Sequence, residues 1–216
     1  MRTFHARRGR LGPQLTKALE VLMPVYGVPS DFAAHPATLF DAVDGVVLEI
    51  GSGMGDATLS LAHREPHLGV IATDVHTRGV AALLRGIDAE HITTVRVLHG
   101  DALALVRRLP TESLVGIRVW FPDPWPKARH HKRRLIQPSV VSLLASRLVS
   151  GGTLHLATDW AEYADQMAQV LSAEPALTVI HGADDPRPEW RPVTRYERAA
   201  RKAHRPVADF IAERRG

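Results

Sequence analysis

Glu49, Asp74, Asp101, Asp123 and Asp159 share a setting: each closes, or closely follows, a run of apolar residues. Any one of them is a good helix cap. Five carboxylates along one edge of a sheet would repel one another unless a ligand or cation used them. Asp123 differs from the others in its neighbours. Pro122 and Pro124 fix φ on both sides of it, which lowers the entropy lost when it takes up a partner. Trp125 follows, and then Lys127, Arg129, Lys132, Arg133 and Arg134 with His130 and His131, a run without an acid.

A second chemical signal lies upstream, in Glu49-Ile-Gly51-Ser-Gly53-Met-Gly55. Glycines between a strand and a helix allow a tight turn and let backbone N–H groups approach a ligand. The dinucleotide fingerprint needs a glycine three residues after the second one, and Asp56 stands there, which weakens a nicotinamide-dependent oxidoreductase as a reading. Asp74, at the end of the next strand, stands where an acid takes ribose hydroxyls. The bland reading is a structural turn without a cofactor.

The elements that must position these residues alternate. Gly45–Ile50, Gly69–Thr73, Thr94–Leu98, Val115–Phe121 and Thr153–Ala157 read as strands. Helices are expected from Asp56, around Arg78–Ile87, over Ala102–Leu109, from Pro138 to a stop at Gly151-Gly152, from Asp159 or Asp165, and over Arg195–His204. Strands alternating with helices imply a parallel sheet covered on both faces. Right-handed crossovers make it doubly wound, and ligands then bind beyond the carboxyl ends of the strands.

The chain has 216 residues and no cysteine. That excludes disulfides, thiolate metal sites and a cysteine nucleophile, and fits a cytoplasmic protein. The basic N-terminus is followed by no apolar segment of the secretory kind, and no apolar run approaches the ~20 residues a membrane helix needs. The formal charge is +4, unevenly spread. Residues 2–10, 127–134 and 187–205 hold 16 of the 27 bases and only two acids, so the rest of the chain carries a net −10. Three basic segments on an acidic body point to a polyanion, most simply nucleic acid. The bases after Asp123 would then track phosphates, which brings affinity and register but not base identity. Trp125 suits a stacking platform for a base or an anchor in the core equally well. His130 and His131 have no partners at metal-ligand spacing; they fit phosphate or sugar contacts, or plain surface positions.

Taken together, these stretches resemble one family over nearly the whole chain. The glycine loop resembles motif I of S-adenosylmethionine-dependent methyltransferases, and His99-Gly100-Asp101-Ala102 resembles the adenine-side segment of the same enzymes. Phe121–Arg134, followed by Gln137-Pro138, resembles the signature of the tRNA (guanine-N7-)-methyltransferases. So do Arg7–Leu11, Ala157-Thr-Asp-Trp160 with Tyr163-Ala164, and Thr194-Arg-Tyr-Glu197. The family usually has Glu at Asp74, His at Pro126 and Pro at Arg78; none of these departures removes a charged ligand.

The resemblance implies an α/β fold, a doubly wound, seven-stranded Rossmann-like sheet with its last strand near Val207–Ile211. It implies a basic N-terminal arm over 1–12 and a single methyltransferase domain over 13–216. Glu49, Gly51, Gly53, Asp74, Asp101 and Asp123 would hold S-adenosyl-L-methionine. Lys127, Asp159, Thr194, Arg195, Tyr196 and Glu197 would meet the substrate. Asp123 would be the catalytic residue, no metal would be used, and the product would be N7-methylguanosine at position 46 of the tRNA variable loop. The protein would act as a monomer or homodimer.

Two local readings stay open beside that one. Thr194 and Glu197 also make a capping box for a helix starting at Arg195. Guanine N7 carries a lone pair and no proton, so Asp123 fits alignment and charge stabilisation better than the role of general base. A non-catalytic RNA-binding protein on the same scaffold is the remaining rival, and the full set of carboxylates speaks against it.

Overall fold

The computed structural model describes residues 12–216, so the expected N-terminal arm, with Arg7–Leu11, lies outside the described residues except for Gly12. In chain order the elements are α1 (Pro13–Tyr26), β1 (Gly45–Ile50), α2 (Asp56–Arg64), β2 (Leu68–Asp74), α3 (Thr77–Ala89), β3 (Val95–His99), α4 (Ala102–Val106), β4 (Leu114–Trp120), α5 (Pro138–Ala145), β5 (Leu148–Thr158), α6 (Ala161–Ala173), β6 (Leu177–His181), α7 (Arg195–Lys202) and β7 (Ala208–Arg214). Short 3₁₀ helices cover Pro36–Leu39 and Ala128–Arg133. The expected seven-stranded sheet forms, in the order β3-β2-β1-β4-β5-β7-β6. The chain divides into two compact units, one ending at Leu114 and the other spanning Val115–Gly216.

In the unit that ends at Leu114, β1, β2 and β3 are parallel, with Gly45 opposite Leu68 and Asp74 opposite His99. Val46–Glu49 and Gly69–Asp74 are buried without a break, as strands covered on both faces require. Val80, Leu83, Leu84 and Ile87 on α3 pack onto Val70, Ala72, Val95 and Val97, and α1 closes the same cluster with Leu19, Leu22, Met23 and Tyr26. Burying such side chains is worth about 1.5–3 kcal/mol each. Helix α1 is not among the expected elements.

In the unit Val115–Gly216, β7 is antiparallel to both β5 and β6, pairing Thr153 with Glu213 and Leu177 with Arg214. This departs from an all-parallel sheet. A crossover helix needs an apolar stripe to lie on the sheet. Helix α7 buries only Glu197 and Ala200, so it has no such stripe. Gly151-Gly152 also falls differently: α5 stops at Ala145 and both glycines lie inside β5, which starts at the fully buried Leu148. Helix α6 opens at Ala161 with Trp160 in the cap position, not at Asp159 or Asp165. Among the described residues no helix is long and apolar enough to cross a membrane.

Candidate active site

The glycine loop after β1 is held by backbone groups and one acid. Gly51, Gly53 and Gly55 all have positive φ, at 88°, 60° and 91°. The N–H groups of Gly51 and Ser52 donate to Thr73 O at 2.8 and 3.0 Å. Gly53 N donates to Asp74 Oδ2 and His76 N to Asp74 Oδ1, each at 2.7 Å. Asp74, 7% exposed, therefore shapes the loop as well as standing at the end of β2. Close packing explains a glycine outside the motif: a Cβ on Gly79 of α3 would lie 2.1 Å from Gly53 O.

The same loop fits a nucleoside cofactor. A Cβ on Gly51 would meet nothing within 4 Å, and the buried Ser52 Oγ has no hydrogen-bond partner among the described residues. Glu49 is buried at the end of β1, where its Oε2 accepts from Thr58 Oγ1 at 2.6 Å. Asp101 is exposed and caps α4, accepting from Leu103 N at 2.9 Å.

The loop after β4 is built differently. Phe121 and Trp125 both adopt positive φ, 55° and 45°, at opposite ends of Pro122-Asp123-Pro124. Non-glycine residues there carry strain that surrounding contacts must hold. Phe121 N donates to Ala157 O at 2.7 Å, and its ring stacks on Tyr196 with centroids 6.0 Å apart and lies under the Arg191 guanidinium. Trp125 is only 7% exposed, with Arg133 4.9 Å from its ring centroid and His130 meeting it edge-on. Of its two expected roles it takes the anchor. Asp123 is exposed, and among the described residues its carboxylate makes no hydrogen bond or ion pair.

The 3₁₀ helix Ala128–Arg133 sorts the basic run by its period of three. His130 and Arg133 share a face and pack on Trp125. His131 and Arg134 share the next, with His131 Nε2 2.9 Å from Arg134 Nη2. Arg129 and Lys132 share the third and are exposed, as is Lys127 before them. Arg134 thus corrects the expectation that all five bases track phosphates. It is 2% exposed, its Nε donates to Pro124 O at 2.8 Å, its Nη1 donates to Gln166 Oε1 at 2.9 Å, and it lies over the Tyr163 ring. Nothing in the local pattern of bases marks it; its partner is 32 residues away.

At the start of α7, Thr194 Oγ1 accepts from Glu197 N at 3.2 Å, the first half of the capping box. The second half is missing, because the Glu197 carboxylate, 1% exposed, turns to Arg187, Arg191 and Arg201. Glu197 is therefore turned inward, while Arg195 and Tyr196 are exposed beside it. Arg191 also holds Asp209, Nε to Oδ1 at 2.7 Å, and Asp209 in turn meets His155 Nε2 at 2.9 Å. Burial pushes His155 below its ordinary pKa despite the Asp209 carboxylate. Burial works to raise Asp209, but the His155 hydrogen bond and the Arg191 charge outweigh it and hold its carboxyl low. Asp159 is taken by Arg205, whose Nε and Nη2 both reach its Oδ2, at 2.9 and 2.6 Å.

A doubly wound sheet with a glycine loop after β1, an acid closing β2 and no dinucleotide spacing defines an S-adenosylmethionine-dependent methyltransferase. The family model Methyltransf_4, described as "Putative methyltransferase", matches residues 44–210. The solved structure of the 16S rRNA methyltransferase KamB shares the fold, with a TM-score of 0.62 at 17% identity over 83% of this chain and 92% of that one. Sequence relatives narrow the class. The tRNA (guanine-N(7)-)-methyltransferase of Nitrosospira multiformis is 45% identical over 98% of this chain and 93% of its own length. That of Streptomyces avermitilis is 49% identical over 91% of this chain and 69% of its own. The chain belongs to the tRNA (guanine-N(7)-)-methyltransferase family.

Proposed function

We propose that this chain methylates N7 of guanine at position 46 in the variable loop of tRNA, in the cytoplasm, as a monomer or homodimer. Residues 13–216 act as one methyltransferase domain behind the basic arm 1–12. The observation that carries this reading is the Asp123 carboxylate, exposed and without a hydrogen bond or ion pair among the described residues, in a strained, proline-framed turn with exposed bases directly after it. Bound S-adenosylmethionine supplies a methyl already activated on a sulfonium, so attack by the N7 lone pair needs no base. Glu49, Gly51, Gly53, Asp74 and Asp101 hold that donor, together with Asp123.

What the chain must add is alignment and charge. Near-attack alignment supplies up to ~7–11 kcal/mol. An acid on the guanine N1–H and amino edge selects guanine over adenine, and Asp123, the catalytic residue, positions the base where it meets the donor. It also stabilises the positive charge that arrives on the purine. Lys127, Arg129 and Lys132 take phosphates. Arg195 and Tyr196 meet the tRNA from the start of α7, held there by Thr194 and Glu197, and Asp159 reaches it while steadied by Arg205. The test is methyl transfer to unmodified tRNA with mapping of the product base. N7-methylguanosine at position 46 is the expected product; methylation elsewhere, or binding without transfer, overturns the reading.

A further inference from the structure

Arg134 is a base in a basic run, yet it offers the surface no charge. Its fork points three ways at once, Nε to Pro124 O, Nη1 to Gln166 Oε1 and Nη2 to His131 Nε2, at 2.8, 2.9 and 2.9 Å, and Glu162 adds longer contacts, its O to Nη1 at 3.4 Å and its Oε2 to Nη2 at 3.7 Å. A guanidinium only donates, so His131 Nε2 is the acceptor. The receiving side is itself fixed, because Gln166 Nε2 donates to Ile136 O at 2.7 Å and Ile136 N donates to Tyr163 OH at 2.9 Å. Pro124 O belongs to the peptide that leads into Trp125, the residue held at φ 45°. Holding that carbonyl fixes the far side of the turn, and the proline rings fix φ on both sides of Asp123.

We infer that Arg134 is a positioning residue for Asp123 and not a phosphate contact, an inference that rests on the role of Asp123 proposed above. Lysine would keep the charge but not the three-way geometry. At a phosphate lysine serves well, as a point charge.

The test is single-turnover methyl transfer by the full chain, at saturating tRNA and S-adenosylmethionine, for Arg134→Lys, Asp123→Asn and the double variant, together with the salt dependence of tRNA binding. Arg134→Lys should slow transfer by about 10²-fold, the cost of a small misplacement, with an unchanged salt slope. The control Lys132→Ala should lower the slope by about 0.7–0.9. The double variant should be no slower than Asp123→Asn alone. Parental turnover by Arg134→Lys, or losses that multiply in the double variant, would overturn the inference while leaving Asp123 in its role. Parental turnover by Asp123→Asn would remove that role and this inference with it. Should Arg134→Lys fold poorly, Gln166→Met leaves the arginine in place and loosens one arm. About tenfold slower transfer, again masked by Asp123→Asn, is then expected, and an unchanged or fully multiplicative rate overturns the proposal.

Discussion

Between Gly51 and Gly55 the chain turns on backbone freedom. Three residues without a Cβ take positive φ, and the amides close onto Thr73 O and the Asp74 carboxylate. Between Phe121 and Trp125 a turn of similar length has no glycine at all. Two aromatic residues sit at positive φ, and buried arginines hold them: Arg191 over Phe121, Arg134 on Pro124 O. The first loop is set by backbone groups and one carboxylate from the next strand and is vulnerable to any added side chain. The second is set by the guanidinium groups of Arg134 and Arg191 and is vulnerable to their loss. A flexible solution suits a ligand gripped by many N–H groups, whereas a stiff one suits a single carboxylate that must be aimed.

The largest expected effect tests the arginine side of this contrast. Glu197→Gln leaves Arg187 without its buried counter-charge and Arg191 with Asp209 alone, and breaking such a buried pair costs about 3–5 kcal/mol. Thermal or denaturant unfolding would register it. A loss below about 1 kcal/mol would mean that Glu197 does not hold this region, and the contrast would fail.

Next comes Asp123→Asn, which keeps the shape and removes the charge. Single-turnover transfer should slow by about 10²–10³, with the unfolding midpoint unmoved and tRNA affinity equal or slightly higher. A parental rate that climbs with slope one through neutral pH, lost in the variant, would instead make the residue a base.

On the glycine side, Asp74→Asn sets an amide N–H against Gly53 N or His76 N and removes a charge-assisted acceptor. Hydrogen bonds of that kind are worth ~1.5–3 kcal/mol, so calorimetry should find S-adenosylmethionine bound about 10- to 150-fold more weakly. An unchanged dissociation constant would leave Asp74 without a role at the cofactor.

The smallest effect is the response to pH of the His155–Asp209 pair. His155 resists protonation in the fold, while the unfolded chain takes up a proton as pH falls through 6.5. The stability present above that value is therefore lost as pH falls toward the lower folded pKa. Asp209, also held low, adds a loss of the same sign at more acid pH. Calorimetric midpoints should be level from pH 8 to 7 and decline below about 6.5, and His155→Gln should lessen the decline. A midpoint that rises on acidification would contradict the burial seen here.

The same contrast explains what could be read from the residues alone. The β1 turn, Asp74 and the first five strands were legible because their signals are local: glycine spacing, unbroken apolar runs, an acid at a strand end. The Asp123 frame was legible for the same reason, two prolines being their own evidence. Arg134 and Arg191 were not, because a buried arginine is spelled like an exposed one, and its partners, Gln166 and Asp209, stand 32 and 18 residues away. Thr194 showed its capping role, but Glu197 in that pattern did not reveal that it turns inward. Gly151-Gly152 misled because glycine ends helices and bends strands alike, and only the burial of Leu148 separates the two.

The 3₁₀ helix after Trp125 carries one more consequence, for what this segment can tolerate as it varies. With about three residues per turn, inserting or deleting one residue between Ala128 and Arg133 would rotate everything beyond it by about a third of a turn. An insertion would swing Arg134 to the face of the exposed Arg129 and Lys132 and set Arg133 in its place, and a deletion would turn Arg134 toward the Trp125 face and set Leu135 there. Exchanging Arg129 or Lys132 for other residues alters only what the surface offers. The segment is free in composition along one face and rigid in length along all three.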